Sequence, residues 1–126
     1  MLDFTELIID DFSPIYEQII RYVKTKIITD TVESGMELPS RRTLSAILKV
    51  NPNTVQKAYR VLEDDGLIYS TTGAKSILQY TSKDRERLQR ELVYEETKRY
   101  VKAMKTTNIE YEELLDLIEG VWKEIR

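Results

Sequence analysis

Residues 51–73, NPNTVQKAYRVLEDDGLIYSTTG, predict a helix whose first two turns are mostly polar. Pro52 opens this helix, at a position where proline is tolerated because the first N–H groups of a helix have no intrahelical partner. Gly66 ends it as the left-handed residue that often follows a helix. The polar opening raises the question of what these exposed side chains contact.

The two faces of this helix differ when its residues are placed at about 100° each. One face is apolar and predicts burial, with Val55, Ala58, Tyr59 and Leu62. The opposite face carries two amides and two cations, namely Asn53, Gln56, Lys57 and Arg60. Amides bond adenine edges, and cations suit guanine edges or phosphates. We therefore interpret this face as a DNA-reading surface, with an ordinary solvated helix face as the alternative.

Charge is unevenly distributed along the chain, whose net charge is −3. No Asp or Glu occurs from Leu38 to Leu62, although this window holds five basic residues: Arg41, Arg42, Lys49, Lys57 and Arg60. The net charge alone gives no reason to expect nucleic acid as a partner, so the prediction depends on the distribution. A solvated surface whose acids happen to lie elsewhere would give the same pattern.

A shorter helix is predicted just upstream of Pro52. Ser40 is a good N-cap for it, and its apolar residues point inward: Leu44, Ile47 and Leu48. A tight break at residues 49–51 separates the two helices. Two helices with one apolar face each and a turn of three or four residues between them are typical of a helix-turn-helix. In that motif the second helix reaches the base edges.

An N-terminal helix precedes this pair, with Ser13 as its predicted N-cap and Pro14 at its first position. Its apolar stripe recurs at four-residue steps: Ile15, Ile19, Val23 and Ile27. Gly35 predicts a turn with positive φ. Residues 4–9, FTELII, fit either a short strand or an ordered arm.

Two short β-prone runs, LIYS and SILQY, follow the reading helix and are joined by residues 71–75. This pattern predicts a hairpin, and a hairpin in this place is a wing. At its tip the threonine hydroxyls, the Gly73 N–H and Lys75 can meet phosphate. The predicted fold is therefore mostly α with a small β wing, and residues 1–80 form a winged helix-turn-helix domain.

Residues 81–126 predict a tail of two amphipathic helices that cannot bury both apolar faces alone. The tail must pack on the N-terminal domain or on a second copy of itself. The first helix is long and its apolar stripe is thin, which favours the second copy. The predicted dimer interface consists of Leu88, Leu92, Tyr100, Met104, Leu115, Ile118 and Trp122.

The composition excludes several classes of function. The chain has no cysteine and no histidine, so disulfides, thiolate–zinc sites and histidine catalysis are excluded. No carboxylate pair lies among apolar residues that would shift its pKa. We expect no enzyme, no cofactor and no metal site. No window is apolar enough to cross a membrane and the first residues are acidic, which predicts a cytoplasmic protein.

Four stretches, SPIYEQII, LPSRRTLS, NPNTVQKAYRVLEDDGLI and the glycine at position 73, resemble the GntR family of bacterial transcription regulators. The short helical tail is similar to that of its YtrA-type subfamily. The resemblance implies a homodimer on a pseudo-palindromic operator in double-stranded DNA, usually as a repressor. The positions that match the family's DNA contacts are Ser40, Arg42, Asn51, Asn53, Thr54, Gln56, Lys57, Thr72 and Gly73. Arg41, Arg60 and Lys75 complete our candidate set on the grounds of charge.

Three positions depart from the family pattern. Lys49 stands in the turn between the two reading helices, where glycine is usual, and predicts strain or a reshaped turn. Ser34 replaces the usual proline before Gly35. The wing tip has Gly73, Ala74 and Lys75 instead of Gly, a base and Gly.

The alternative function is a helical adaptor whose tail binds a protein partner and which has no specific DNA target. An acidic face on residues 53–60 would have favoured the adaptor, whereas this face is basic. The tail looks too small for the ligand-binding domain of longer family members. The sequence identifies no small-molecule effector.

Overall fold

The computed structural model describes residues 1–73 and 75–126; Ala74, at the predicted wing tip, lies outside them. The helices are α1 (Ile15–Ile28), α2 (Arg41–Leu48), α3 (Pro52–Asp64), α4 (Ser82–Lys105) and α5 (Tyr111–Glu124). The strands are β1 (Glu37–Leu38), β2 (Ile68–Ser70) and β3 (Ser76–Leu78). This confirms the predicted mostly α fold with a small β wing. The chain forms two compact units, Met1–Gln89 and Arg90–Arg126.

The core of the first unit is built around α3. All four residues of its predicted apolar face are fully buried, and α3 packs against α1 and α2. From α1, the buried residues include Ile19, Val23 and Ile27. The apolar stripes predicted from spacing therefore meet each other, and the polar face of α3 is left outward.

The entry to α1 differs from the prediction. Pro14 is the N-cap, the helix begins at Ile15, and no side chain caps it; the prediction that Ser13 is the N-cap is wrong. The Gln18 carboxamide holds the approaching chain instead. Its Nε2 donates to the carbonyls of Asp10 at 2.9 Å and Ser13 at 2.8 Å, and its Oε1 accepts from the Asp10 N–H at 3.0 Å. Residues 4–9 form no strand.

The α2–α3 connection is fixed by side-chain caps and one left-handed residue. Ser40 caps α2, as predicted, by accepting from the Thr43 N–H at 3.1 Å. Lys49 ends α2 in the left-handed conformation, with φ 56° and ψ 47°. Asn51 then caps α3 by accepting from the Asn53 N–H at 2.8 Å, and Pro52 takes the first position.

Ile47 departs from the inward orientation predicted for α2. Its side chain is 46% exposed, whereas Leu44 is buried and Leu48 packs partly against the core. Because α2 has only eight residues, its buried face is narrow: Leu44 and Ser45 are buried there, and Leu48 lies at its edge.

The sheet has a third strand that the sequence did not reveal. The strand order is β1-β3-β2, and both pairs are antiparallel, with Ile77 facing Glu37 on one side and Tyr69 on the other. The Thr71 N–H donates to the Lys75 carbonyl at 2.8 Å and closes the predicted wing hairpin. Strand β1 has two residues, which is too short to show an alternating pattern.

The first turns of α4 belong to the first unit. Leu88 is 1% exposed and lies in the core cluster that includes the apolar face of α3. The prediction that Leu88 forms part of a dimer interface is therefore wrong, because its side chain is not accessible to a second chain. For the same reason the first compact unit extends to Gln89, beyond the predicted boundary at residue 80.

Asp65, the C-cap residue of α3, forms ion pairs with two cations. Its carboxylate lies 3.4 Å from Lys24 Nζ of α1 and 3.3 Å from Arg87 NH1 of α4. An acid at the negative end of a helix is unfavourable, and these cations offset that cost. Through these two ion pairs Asp65 connects the end of α3 to α1 and α4.

Replacing Asp65 with Asn should lower the free energy of unfolding by about 0.5–2 kcal/mol, because two partly buried ion pairs are lost. The loss should shrink in molar salt, since salt screens such pairs. Asp64→Asn is the matched control: Asp64 is exposed and makes no ion pair within the described part of the chain, so this change should be neutral or slightly stabilising. Urea denaturation at low and high salt measures both, and equal effects of the two changes would contradict the assignment.

The second unit contains the rest of α4 and all of α5. Leu114 of α5 is buried, whereas many large apolar side chains of both helices are exposed. Among the described residues, no helix has the length and apolarity needed to span a membrane.

Candidate nucleic-acid interface

The N-terminal half of α3 presents the predicted reading surface. Asn53, Lys57 and Arg60 are exposed, and Thr54 and Gln56 are half-buried. The helix is anchored on its opposite side by fully buried residues, so this surface has a fixed orientation. Rigid presentation of amides and cations is what direct reading of base edges requires.

The cations around this surface lack acidic partners. Arg42, Lys49, Lys57 and Arg60 are exposed, and none of them forms an ion pair within residues 1–73 and 75–126. Elsewhere in the first unit, Lys24, Lys26 and Arg85 do have carboxylate partners. The unpaired cations leave a positive surface that phosphate can neutralise.

Arg41 plays a different part from Arg42. Its guanidinium carbon lies 5.5 Å from the centre of the Tyr59 ring, and Tyr59 donates its hydroxyl to the Pro39 carbonyl at 2.7 Å. Burial raises the pKa of the Tyr59 phenol, and the Arg41 charge acts in the opposite direction. Arg41 Nε is buried without a hydrogen-bond partner among the described residues. Arg41 therefore lies where α2 packs against α3.

Ser40 and Asn51, both predicted to contact DNA, use their side-chain oxygens to cap α2 and α3. Ser40 Oγ accepts from the Thr43 N–H and donates to Thr43 Oγ1 at 2.8 Å. Asn51 Oδ1 is engaged with the Asn53 N–H, while its Nδ2 has no partner within the described chain. Both residues therefore orient the reading helices.

The wing carries the remaining candidates. Thr72 and Gly73 are exposed, and Gly73 has φ 105°, a conformation that favours glycine. Lys75 Nζ lies 3.9 Å from Glu37 Oε1, so a phosphate would compete with this carboxylate for Lys75. The long distance and the exposed setting make this a weak pair.

One neighbour of the reading surface was not found from the sequence. The ring of Tyr16, on α1, lies under Lys57, with Nζ 4.0 Å from the ring centre. Residues 16 and 57 are far apart in sequence, and only the packing of α1 on α3 brings them together. Tyr16 is half-buried and packs against the core.

The remaining dimer candidates lie in the second unit. Leu92 and Met104 are half-buried, and the others are exposed: Tyr100, Leu115, Ile118 and Trp122. An open groove of about 530 Å³ runs beside them, lined by Tyr100, Leu117, Ile118, Val121, Trp122, Ile125 and Arg126. Trp122, the only tryptophan of the chain, is 81% exposed.

A winged helix-turn-helix whose second helix presents amides and cations on the exposed face of its N-terminal half is typical of a class of DNA-binding proteins. Comparison with known proteins identifies the family. The model for bacterial regulatory proteins of the gntR family matches residues 15–75. A GntR family transcriptional regulator from Listeria monocytogenes has a similar structure, with a TM-score of 0.76 and 34% identity, covering 89% of this chain and 98% of that one.

Two curated relatives from Bacillus subtilis are similar in sequence. The HTH-type transcriptional repressor YtrA is 41% identical over 71 residues, which are 56% of this chain and 55% of YtrA. The uncharacterized HTH-type transcriptional regulator YhcF is 30% identical over 106 residues, covering 84% of this chain and 88% of YhcF. The match to YtrA thus spans little more than half of that protein. The chain belongs to the GntR family and is a DNA-binding transcriptional regulator.

Proposed function

We propose that this protein is a homodimeric repressor that binds a pseudo-palindromic operator. The reading surface of α3 supports this most directly. It combines two amides with unpaired cations, and it carries no acid.

The neutral and the charged residues of this surface have different roles in DNA binding. Asn53 and Gln56 can read adenine edges without releasing counterions, whereas Arg42 and Lys57 can grip guanine or phosphate. Base contacts give specificity, and phosphate contacts fix the position of the protein on the duplex. The wing residues Thr72 and Gly73 add contacts to the backbone beside the major groove.

The exposed apolar side chains of the second unit support the homodimer. A contiguous apolar surface of this kind marks an interaction site, and two copies of the same surface make a self-complementary contact. A dimer places two reading helices on one face of the duplex, which is why its operator is expected to be a near-palindrome. Occupancy of that operator in the cytoplasm would then block transcription, as a repressor does.

Replacing Gln56 with Ala should weaken binding to the operator by about 1–3 kcal/mol and leave binding to a scrambled duplex unchanged. The slope of log K against log salt should stay the same, because Gln56 carries no charge. The operator is first enriched from a random duplex library with the parent protein. Gln89→Ala removes an exposed helical glutamine of α4 and serves as the control.

Equal weakening on both duplexes by Gln56→Ala would show that α3 does not read bases. If the parent protein enriches no sequence at all, the exposed apolar surface of the second unit favours the adaptor, which binds a protein partner instead.

A further inference from the structure

Lys57 and Tyr16 form the closest cation–π contact of the first unit, at 4.0 Å between Nζ and the ring centre. Lys57 makes no ion pair within the described residues. Lys57 Nζ lies over the face of the Tyr16 ring, and the Tyr16 hydroxyl is directed to Glu17 Oε1 at 3.4 Å. The ring, in turn, packs against the core.

A tyrosine face suits a lysine that must be ordered and yet remain able to bind. A free lysine loses considerable side-chain freedom when it binds. The ring attracts the ammonium without accepting its N–H groups as a carboxylate would, so donors remain for phosphate or guanine. A carboxylate partner would restrain the lysine too, but it would also have to be displaced by DNA.

We propose that Tyr16 is a positioning residue for DNA binding: its ring holds the Lys57 ammonium in the orientation that contacts DNA. This inference rests on the proposed function, and it extends the DNA-binding machinery to the first turn of α1. Tyr16 acts through Lys57 and needs no contact of its own with DNA.

Tyr16→Leu keeps an apolar side chain against the core and removes the ring. It should weaken operator binding about two- to fivefold, the size expected for an exposed cation–π contact. Tyr16→Phe keeps the ring and should bind almost like the parent protein. Combined with Lys57→Ala, Tyr16→Leu should have no further effect. Affinities are measured with the enriched operator duplex, and thermal melting confirms that each variant folds.

Tyr94→Leu is the matched control, since it removes another tyrosine that lies under a lysine, Lys98, at 5.5 Å in the second unit. It should leave operator affinity unchanged, with sedimentation checking that assembly is preserved.

Three outcomes would overturn the proposal. Parental or tighter binding by Tyr16→Leu would show that the ring does not prepare Lys57 for DNA. An equal loss with Lys57→Ala in place would show that Tyr16 acts independently of Lys57. A loss in Tyr16→Phe as large as in Tyr16→Leu would assign the effect to the hydroxyl. Failure of the proposed function is distinguishable, because the parent protein would then prefer no sequence.

Discussion

Replacing Leu88 with Ala is expected to lower the free energy of unfolding of the first unit by about 2–5 kcal/mol. Leu88 is fully enclosed in the core cluster, and truncation removes apolar contacts and leaves a cavity. Urea denaturation measures the loss. Amide hydrogen exchange of α3 then shows whether the destabilised region is the first unit, as the burial of Leu88 requires.

Leu92→Ala is the matched control one turn further along α4. Leu92 is only half-buried and belongs to the second unit, so the α3 amides should keep their protection. If Leu88→Ala instead preserves the stability of the first unit and weakens self-association, the placement of Leu88 in the core is wrong.

Replacing Ile118 with Glu is expected to dissociate the proposed homodimer. Ile118 is 41% exposed on α5, so the single chain tolerates the carboxylate. In a symmetric apolar interface each copy would bury an unpaired charge, at a cost of about 3 kcal/mol or more. The dissociation constant should therefore rise at least about a hundredfold. Sedimentation velocity over a concentration series measures the change.

Lys123→Gln provides the control for charge. It changes the net charge by the same amount and removes one exposed pair with Glu119, at 3.3 Å, so the dimer should persist. A parent protein that sediments as a monomer at micromolar concentration would refute the homodimer. A parent dimer that survives Ile118→Glu would place the interface elsewhere.

The sequence was most informative where a local rule determines structure. Ser40, Pro52 and Gly66 stand where caps and a left-handed residue require their chemistry, and the structure confirms all three. The burial of the apolar face of α3 followed from helical periodicity in the same way. These features depend on neighbours within a few residues, so spacing alone reveals them.

Features that depend on distant parts of the chain were not predictable from spacing. Strand β1 exists because its two residues pair with β3. Leu88 belongs to an apolar stripe that looks uniform in sequence, yet only its first part meets the core. The contacts of Arg41 with Tyr59 and of Lys57 with Tyr16 likewise arise from helix packing, and a charge count cannot distinguish such cations from free ones.

At Lys49 the backbone conformation and the surface charge favour different residues. In the left-handed conformation its Cβ crowds the chain, which costs roughly 1–2 kcal/mol for an L-residue. Glycine would relieve that crowding but would also remove a cation from the edge of the reading surface. No single residue offers both benefits, so a substitution that raises heat resistance at this turn lowers its positive charge.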